Sequence, residues 1–209
     1  MSSAIYYVFM ATLTMIVVFL ATSTNMLRDT NSADNSTADD ASNSEATESA
    51  PAPPPPNKDK KPSRPPFSLA RAQFAFWTVI IFSSFMYILF KHNYQIPAIN
   101  NVNLILLGIV VSTSASAKLI DESQKKNGNL NSDYPSEGFL IDILSDKKGV
   151  SIHRLQNVLW TLAVGLIYIH YVANESSLPD ETVISDNLLL LMGISTGAYL
   201  GIKTTENSK

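Results

Sequence analysis

Apolar residues in this chain are gathered into five runs, at residues 4–21, 72–90, 102–117, 155–172 and 188–202, with polar stretches between them. At a rise of about 1.5 Å per residue, a helix of roughly 18 residues spans about 27 Å, close to the hydrocarbon thickness of a bilayer. The pattern therefore predicts five membrane-spanning helices. The third and fifth runs are short and contain Ser, Thr and Gly, so they reach spanning length only by borrowing neighbours such as Ile99 and Ile120, or Val183 and Ile184. Composition alone hides this, because 45% hydrophobic residues is ordinary.

The second and fourth runs open on one pattern. Ser68, Arg71, Gln73, Trp77 and Thr78 match Ser151, Arg154, Gln156, Trp160 and Thr161, both copies reading SxxRxQxxxWT. Each copy is followed by a polar turn and then a run with a small residue at every fourth place. These are Gly108, Ser112 and Ser116 in the first half and Gly193, Gly197 and Gly201 in the second, with Lys118 in register with Lys203. The expected fold is an all-α integral membrane protein with five transmembrane helices. The last four form two tandem, parallel-oriented helical hairpins, related by a pseudo-twofold along the membrane normal. The expected division is an N-terminal helix (1–27), a linker (28–66), the first hairpin (67–120), a cytoplasmic loop (121–150), and the second hairpin with a short tail (151–209).

Charge sets the orientation. Threading the chain alternately through five spans leaves Lys91 alone on one face and the other 14 of the 15 Lys and Arg on the opposite face. Positive charge is retained in the cytoplasm, so the N-terminus is expected outside and the C-terminus inside. The first helix is expected to be retained, because it lacks the basic start of a signal peptide and Ala21-Thr22-Ser23 is a poor cleavage site. Residues 31–50 are almost entirely Asn, Ser, Thr, Ala, Asp and Glu, too polar to repay the entropy of ordering. The Pro51–Pro56 tract favours extended polyproline II, and Lys58, Lys60, Lys61 and Arg64 then crowd the start of the second span, suited to anionic lipid headgroups at the inner face.

Within the repeated pattern, Ser68 and Ser151 are placed to cap the helices, and Arg71 and Arg154 to reach phosphate from the first turn. Trp77 and Trp160 lie about 9 Å deeper, so packing against a neighbouring helix is expected rather than exposure to lipid. Gln73 and Gln156 share a face with their Trp, and each amide needs a partner, for which the other copy of the motif is the obvious candidate. Alternatively, Arg71, Gln73, Arg154 and Gln156 line a cytoplasmic mouth for an anion. The small-residue ladders predict close helix approach, either within the chain or between copies. Between the hairpins, Phe139, Leu140, Ile143 and Leu144 form the apolar stripe of a short amphipathic helix, with Asp142 and Asp146 on its polar side, either solvated, as preferred, or paired with Arg71 or Arg154.

Chemistry is sparse. There is no Cys, and His92, His153 and His170 are scattered, so no metal site or thiol nucleophile is expected. No GxSxG elbow is present, and no Asp, Glu, Lys or Arg falls at mid-membrane depth, which argues against a hydrolase and against a coupled transporter.

Gly138-Phe139-Leu140, Asp142, Leu144-Ser145-Asp146, Gly149, Ser151, His153-Arg154 and Gln156, followed by Trp160 and Met192-Gly193-Ile194-Ser195, resemble a group of uncharacterised bacterial multi-pass inner-membrane proteins. The resemblance covers residues 67–203 and implies a bacterial inner-membrane location, but no activity or catalytic residue. The expectation is a non-enzymatic membrane module without cofactor or metal, a scaffold that binds itself or another membrane protein and no nucleic acid. The alternatives are a small oligomeric channel lined by the Ser- and Gly-rich third and fifth helices, and an intramembrane enzyme.

Overall fold

The computed structural model describes residues 3–24, 26–28, 65–126, 136–146 and 149–205. The acidic and Pro-rich linker at 29–64 lies outside the described residues, as do Lys147 and Lys148. In chain order the elements are α1 (Ser3–Ser23), α2 (Leu69–Lys91), α3 (Asn101–Lys126), α4 (Phe139–Leu144), β1 (Ser145–Asp146), β2 (Gly149–Val150), α5 (Ile152–Glu175) and α6 (Asp186–Thr205). Helices α1, α2, α3, α5 and α6 are each long and apolar enough to cross a membrane, which suits a multi-pass membrane protein.

The short apolar runs lengthen differently from the expectation. Helix α3 takes in Ile120 and continues to Lys126, well into the polar segment read as loop, while Ile99 stays outside it. Helix α6 begins at Asp186, so Val183 and Ile184 belong to the preceding turn, where Ile184 is nonetheless fully buried. Length here comes from polar residues at the carboxyl end of α3, where Lys118 and Glu122 form an i, i+4 pair.

Four helices form a bundle in which α2 packs on α3, α3 on α6, α6 on α5 and α5 on α2. A twofold axis along the bundle would set α2 and α5 across from one another, with α2 against α6 and α3 against α5 as the main flanking contacts. The matching helices instead lie side by side, as a translation would leave them. The pseudo-twofold expectation is therefore corrected: each half presents one face to the other half and turns its opposite face outward.

The core is continuous along these seams. Trp77, Ile80, Val102, Leu106, Val164, Tyr168 and Val172 are all essentially inaccessible. Gly165 allows the closest approach, since a Cβ there would stand 2.6 Å from the ring of Phe76. Helix α1 joins through Tyr6, which is fully buried, hydrogen-bonds Ser84 Oγ at 2.9 Å and tilts against the Tyr87 ring at 4.9 Å.

The bundle has two distinct ends. At the far end, the turns 92–100 and 176–185 interlock: Asn100 Nδ2 donates to the Pro179 carbonyl at 2.7 Å, and Lys91 Nζ donates to Ser176 Oγ. Ser176 is itself left-handed (φ 57°) and closes α5 by donating its N–H to the Val172 carbonyl. Asp180 in this turn accepts from the Thr182 hydroxyl and backbone N–H, which hold its carboxyl below the usual range. At the near end, where α2 and α5 begin, α4 and a two-residue antiparallel ladder of β1 with β2 cover the bundle.

Candidate interface at the repeated pattern

Both copies of the pattern start a helix, as expected, but neither serine caps it by its side chain. Ser68 (φ −90°, ψ 123°) and Ser151 (φ −93°, ψ 122°) have extended N-cap backbone and make no side-chain cap hydrogen bond. Their carbonyls instead accept from Ala72 and Leu155, closing the first helical turns.

The first copy is spent inside the bundle. Gln73 is buried and its Nε2 donates to Thr161 Oγ1 at 2.8 Å, so the amide finds the threonine of the second copy and not Gln156. Trp77, 1% exposed, meets the Tyr168 ring edge-on at 6.2 Å. The second copy points the other way: Gln156 is exposed and Trp160 half-buried. Leu155, Leu159, Leu162 and Leu166 are exposed beside them. The face that α5 does bury carries Thr161, Val164, Gly165 and Tyr168. In register with these on α2 stand Thr78, Ile81, Phe82 and Phe85, which line an outward groove of about 210 Å³.

The arginines are not gathered into a mouth. Arg71 Nη1 donates to the Arg28 carbonyl at 2.6 Å, while the Arg154 guanidinium lies over the Tyr199 ring at 5.6 Å. With Gln73 buried and Gln156 outside, the four residues do not line one cavity, and the anion-mouth expectation is corrected.

Three side chains whose partners the sequence does not reveal hold the near end together. Arg28 is buried, donates to the Pro65 carbonyl at 2.6 Å and stacks 4.0 Å above the Phe67 ring centroid. Asp142 accepts from the Phe67 N–H, the Glu137 N–H and the Ser136 hydroxyl, tying α4 to the start of α2. It pairs with neither arginine and is not merely solvated. Lys203 is buried and bonded to Asp121 at 3.0 Å, while Gln124 Nε2 donates to the Lys203 carbonyl at 2.9 Å, locking α3 to α6. The stripe on α4 divides: Ile143 is buried, Leu144 is half-buried, Phe139 meets Phe67 edge-on at 5.3 Å, and Leu140 is 67% exposed.

The small-residue ladders lie on the outside. Among the described residues nothing comes within 4 Å of where a Cβ would sit at Gly108, Gly193, Gly197 or Gly201, so these glycines bring none of the described helices together. What these helices bury lies on other faces: Leu106, Val110 and Thr113 on α3, and Leu189, Thr196 and Tyr199 on α6, where Thr196 Oγ1 donates to Asn157 Oδ1 of α5 at 3.5 Å. Ser112 and Thr113 turn their hydroxyls back onto the Ile109 carbonyl. Among the described residues no group of His, Asp or Glu is placed to hold a metal. Comparison with protein families, characterised proteins and solved structures finds no match for this chain.

Proposed function

We propose that this chain is a non-enzymatic, multi-pass membrane scaffold that associates with copies of itself. In this reading five helices span a bacterial inner membrane, the far-end turns face outward, and the near end with its arginines and lysines faces the cytoplasm and anionic lipid. The last four helices are a duplicated hairpin. The observation that carries the reading is the open glycine face: Gly193, Gly197 and Gly201 have no described neighbour within 4 Å of a Cβ position, while polar side chains toward the near end are engaged in holding helices together. A smooth helix face in lipid lets a second backbone approach closely, which is the main source of helix association without a hydrophobic drive.

The test is oligomeric mass in lipid nanodiscs. The native chain is expected to be multimeric, and Gly197→Leu to lower the mass if the glycine face is a contact. A native chain that is monomeric at all lipid ratios overturns the reading.

A further inference from the structure

The contact between α2 and α5 has two sides, and each has an unused counterpart elsewhere on the molecule. On α2 the gripping side is Gln73, Phe76 and Trp77; of the same positions on α5, Gln156 and Leu159 are exposed and Trp160 is half-buried, one side against the core and the other open. On α5 the receiving side is Thr161, Gly165 and Tyr168; the same positions of α2 are Thr78, Phe82 and Phe85, which line the outward groove. Helices α3 and α6 also differ in what they bury. The α6 face buried through Leu189, Met192, Thr196 and Tyr199 is matched on α3 by Leu104, Leu107, Val111 and Ser114, none of them buried.

We infer that a second copy of this chain docks head to tail, its Gln156 and Trp160 face seated on the Thr78, Phe82 and Phe85 groove. This rests on the self-association reading and adds to it a pair of surfaces apart from the glycine face. The contact within the chain is the template. Gln156 donates to Thr78 Oγ1 as Gln73 donates to Thr161, which is open to it because the Thr78 hydroxyl spends its proton on the Phe74 carbonyl and keeps its lone pairs. Trp160 meets Phe85 as Trp77 meets Tyr168. One contact differs: Phe76 over Gly165 becomes Leu159 against Phe82, so the copies stand further apart there than α2 and α5 do. The two faces are unlike, so the association is heterologous and continues to a third copy, closing as a ring or running on as a row.

The chain has no Cys, so introduced thiols report without background. Membranes carrying differently tagged Gln156→Cys and Thr78→Cys chains, oxidised together, are expected to give a dimer holding both tags, whereas neither variant alone gives one. Gln73→Cys with Thr161→Cys in a single chain is the control and should close within the chain. Trp160→Ala is expected to weaken association on the order of tenfold while lowering the unfolding temperature far less than Trp77→Ala does. A Gln156→Cys chain that bonds to itself overturns the head-to-tail arrangement. So does a multimeric native chain that yields no mixed dimer, or whose mass Trp160→Ala leaves unchanged, although self-association then stands. A monomeric native chain removes both.

Discussion

Gln73 and Gln156 occupy the same place in the same pattern, and so do Trp77 and Trp160, yet Gln73 and Trp77 are buried in the bundle while Gln156 is exposed and Trp160 only half-buried. The local sequence made both helices alike. What differs is the enclosure: the α2 motif side chains are buried against α5, whereas on α5 Gln156 is exposed and Trp160, packed against the edge of the core, is only half-buried. In water such a pair would be told apart by hydrophobic periodicity, because only the buried side could be apolar. Between lipid-facing helices an apolar side chain suits either position, so burial is assigned by packing and hydrogen bonding.

The comparison breaks most sharply at tryptophan. Trp77→Ala removes a ring that is 1% exposed and contacts Phe76 and Tyr168, leaving a cavity the helices cannot close. The expected loss is about 3 to 5 kcal/mol. Trp160→Ala trims a half-buried ring on the outer face and should cost about 1 kcal/mol or less in the isolated chain. Thermal unfolding of both variants in the same detergent reads the difference, and equal losses would show that the two copies are packed alike.

The helices were legible because each requirement for spanning is local: length, apolar content and flanking charge. All five appear within a few residues of the predicted runs, apart from the polar extension of α3. The interface was not legible for two reasons. The pattern marks Gln73 and Gln156 equally, and only the order of helices around the bundle distinguishes them. The ladders of Gly108, Ser112, Gly193 and Gly197 carry a known packing signature, but a signature says that a helix is welcome and not that this chain supplies it. The partners of Asp142 and Asp121 were not legible, because the first carboxylate lies on the polar side of a short helix and the second at the edge of a segment read as loop, where a carboxylate is ordinarily solvated. Their partners, the Phe67 N–H and Lys203, are more than 70 residues away along the chain.

The lysines in register sharpen the same contrast with a somewhat smaller effect. Lys203 is buried, with 7% of its side chain exposed, and bonds Asp121, whereas Lys118, its counterpart, is 69% exposed and stands 3.8 Å from Glu122. Lys203→Met takes the cation from a mostly buried carboxylate and is expected to cost about 3 kcal/mol, most of it recovered on adding Asp121→Asn. Lys118→Met should change stability by less than about 0.5 kcal/mol. Chemical unfolding of the two single variants and the double variant measures this, and a neutral Lys203→Met would mean that α3 and α6 are not held by the pair.

The smallest expected difference is at the glutamines, and it separates folding from association. Gln73→Leu removes the donor to Thr161 inside the bundle, and hydrogen bonds between helices in lipid are worth about 0.6 kcal/mol on average, rising to about 1.7. Gln156→Leu removes no hydrogen bond seen within the chain, so its stability should stay within about 0.3 kcal/mol of native. If a second copy supplies the missing partner, Gln156→Leu instead shifts the population of multimers. The two substitutions then trade places, one altering the unfolding temperature at constant mass and the other the mass at constant unfolding temperature. Measuring both quantities on both variants decides whether the outward copy of the pattern does between chains what the inward copy does within one.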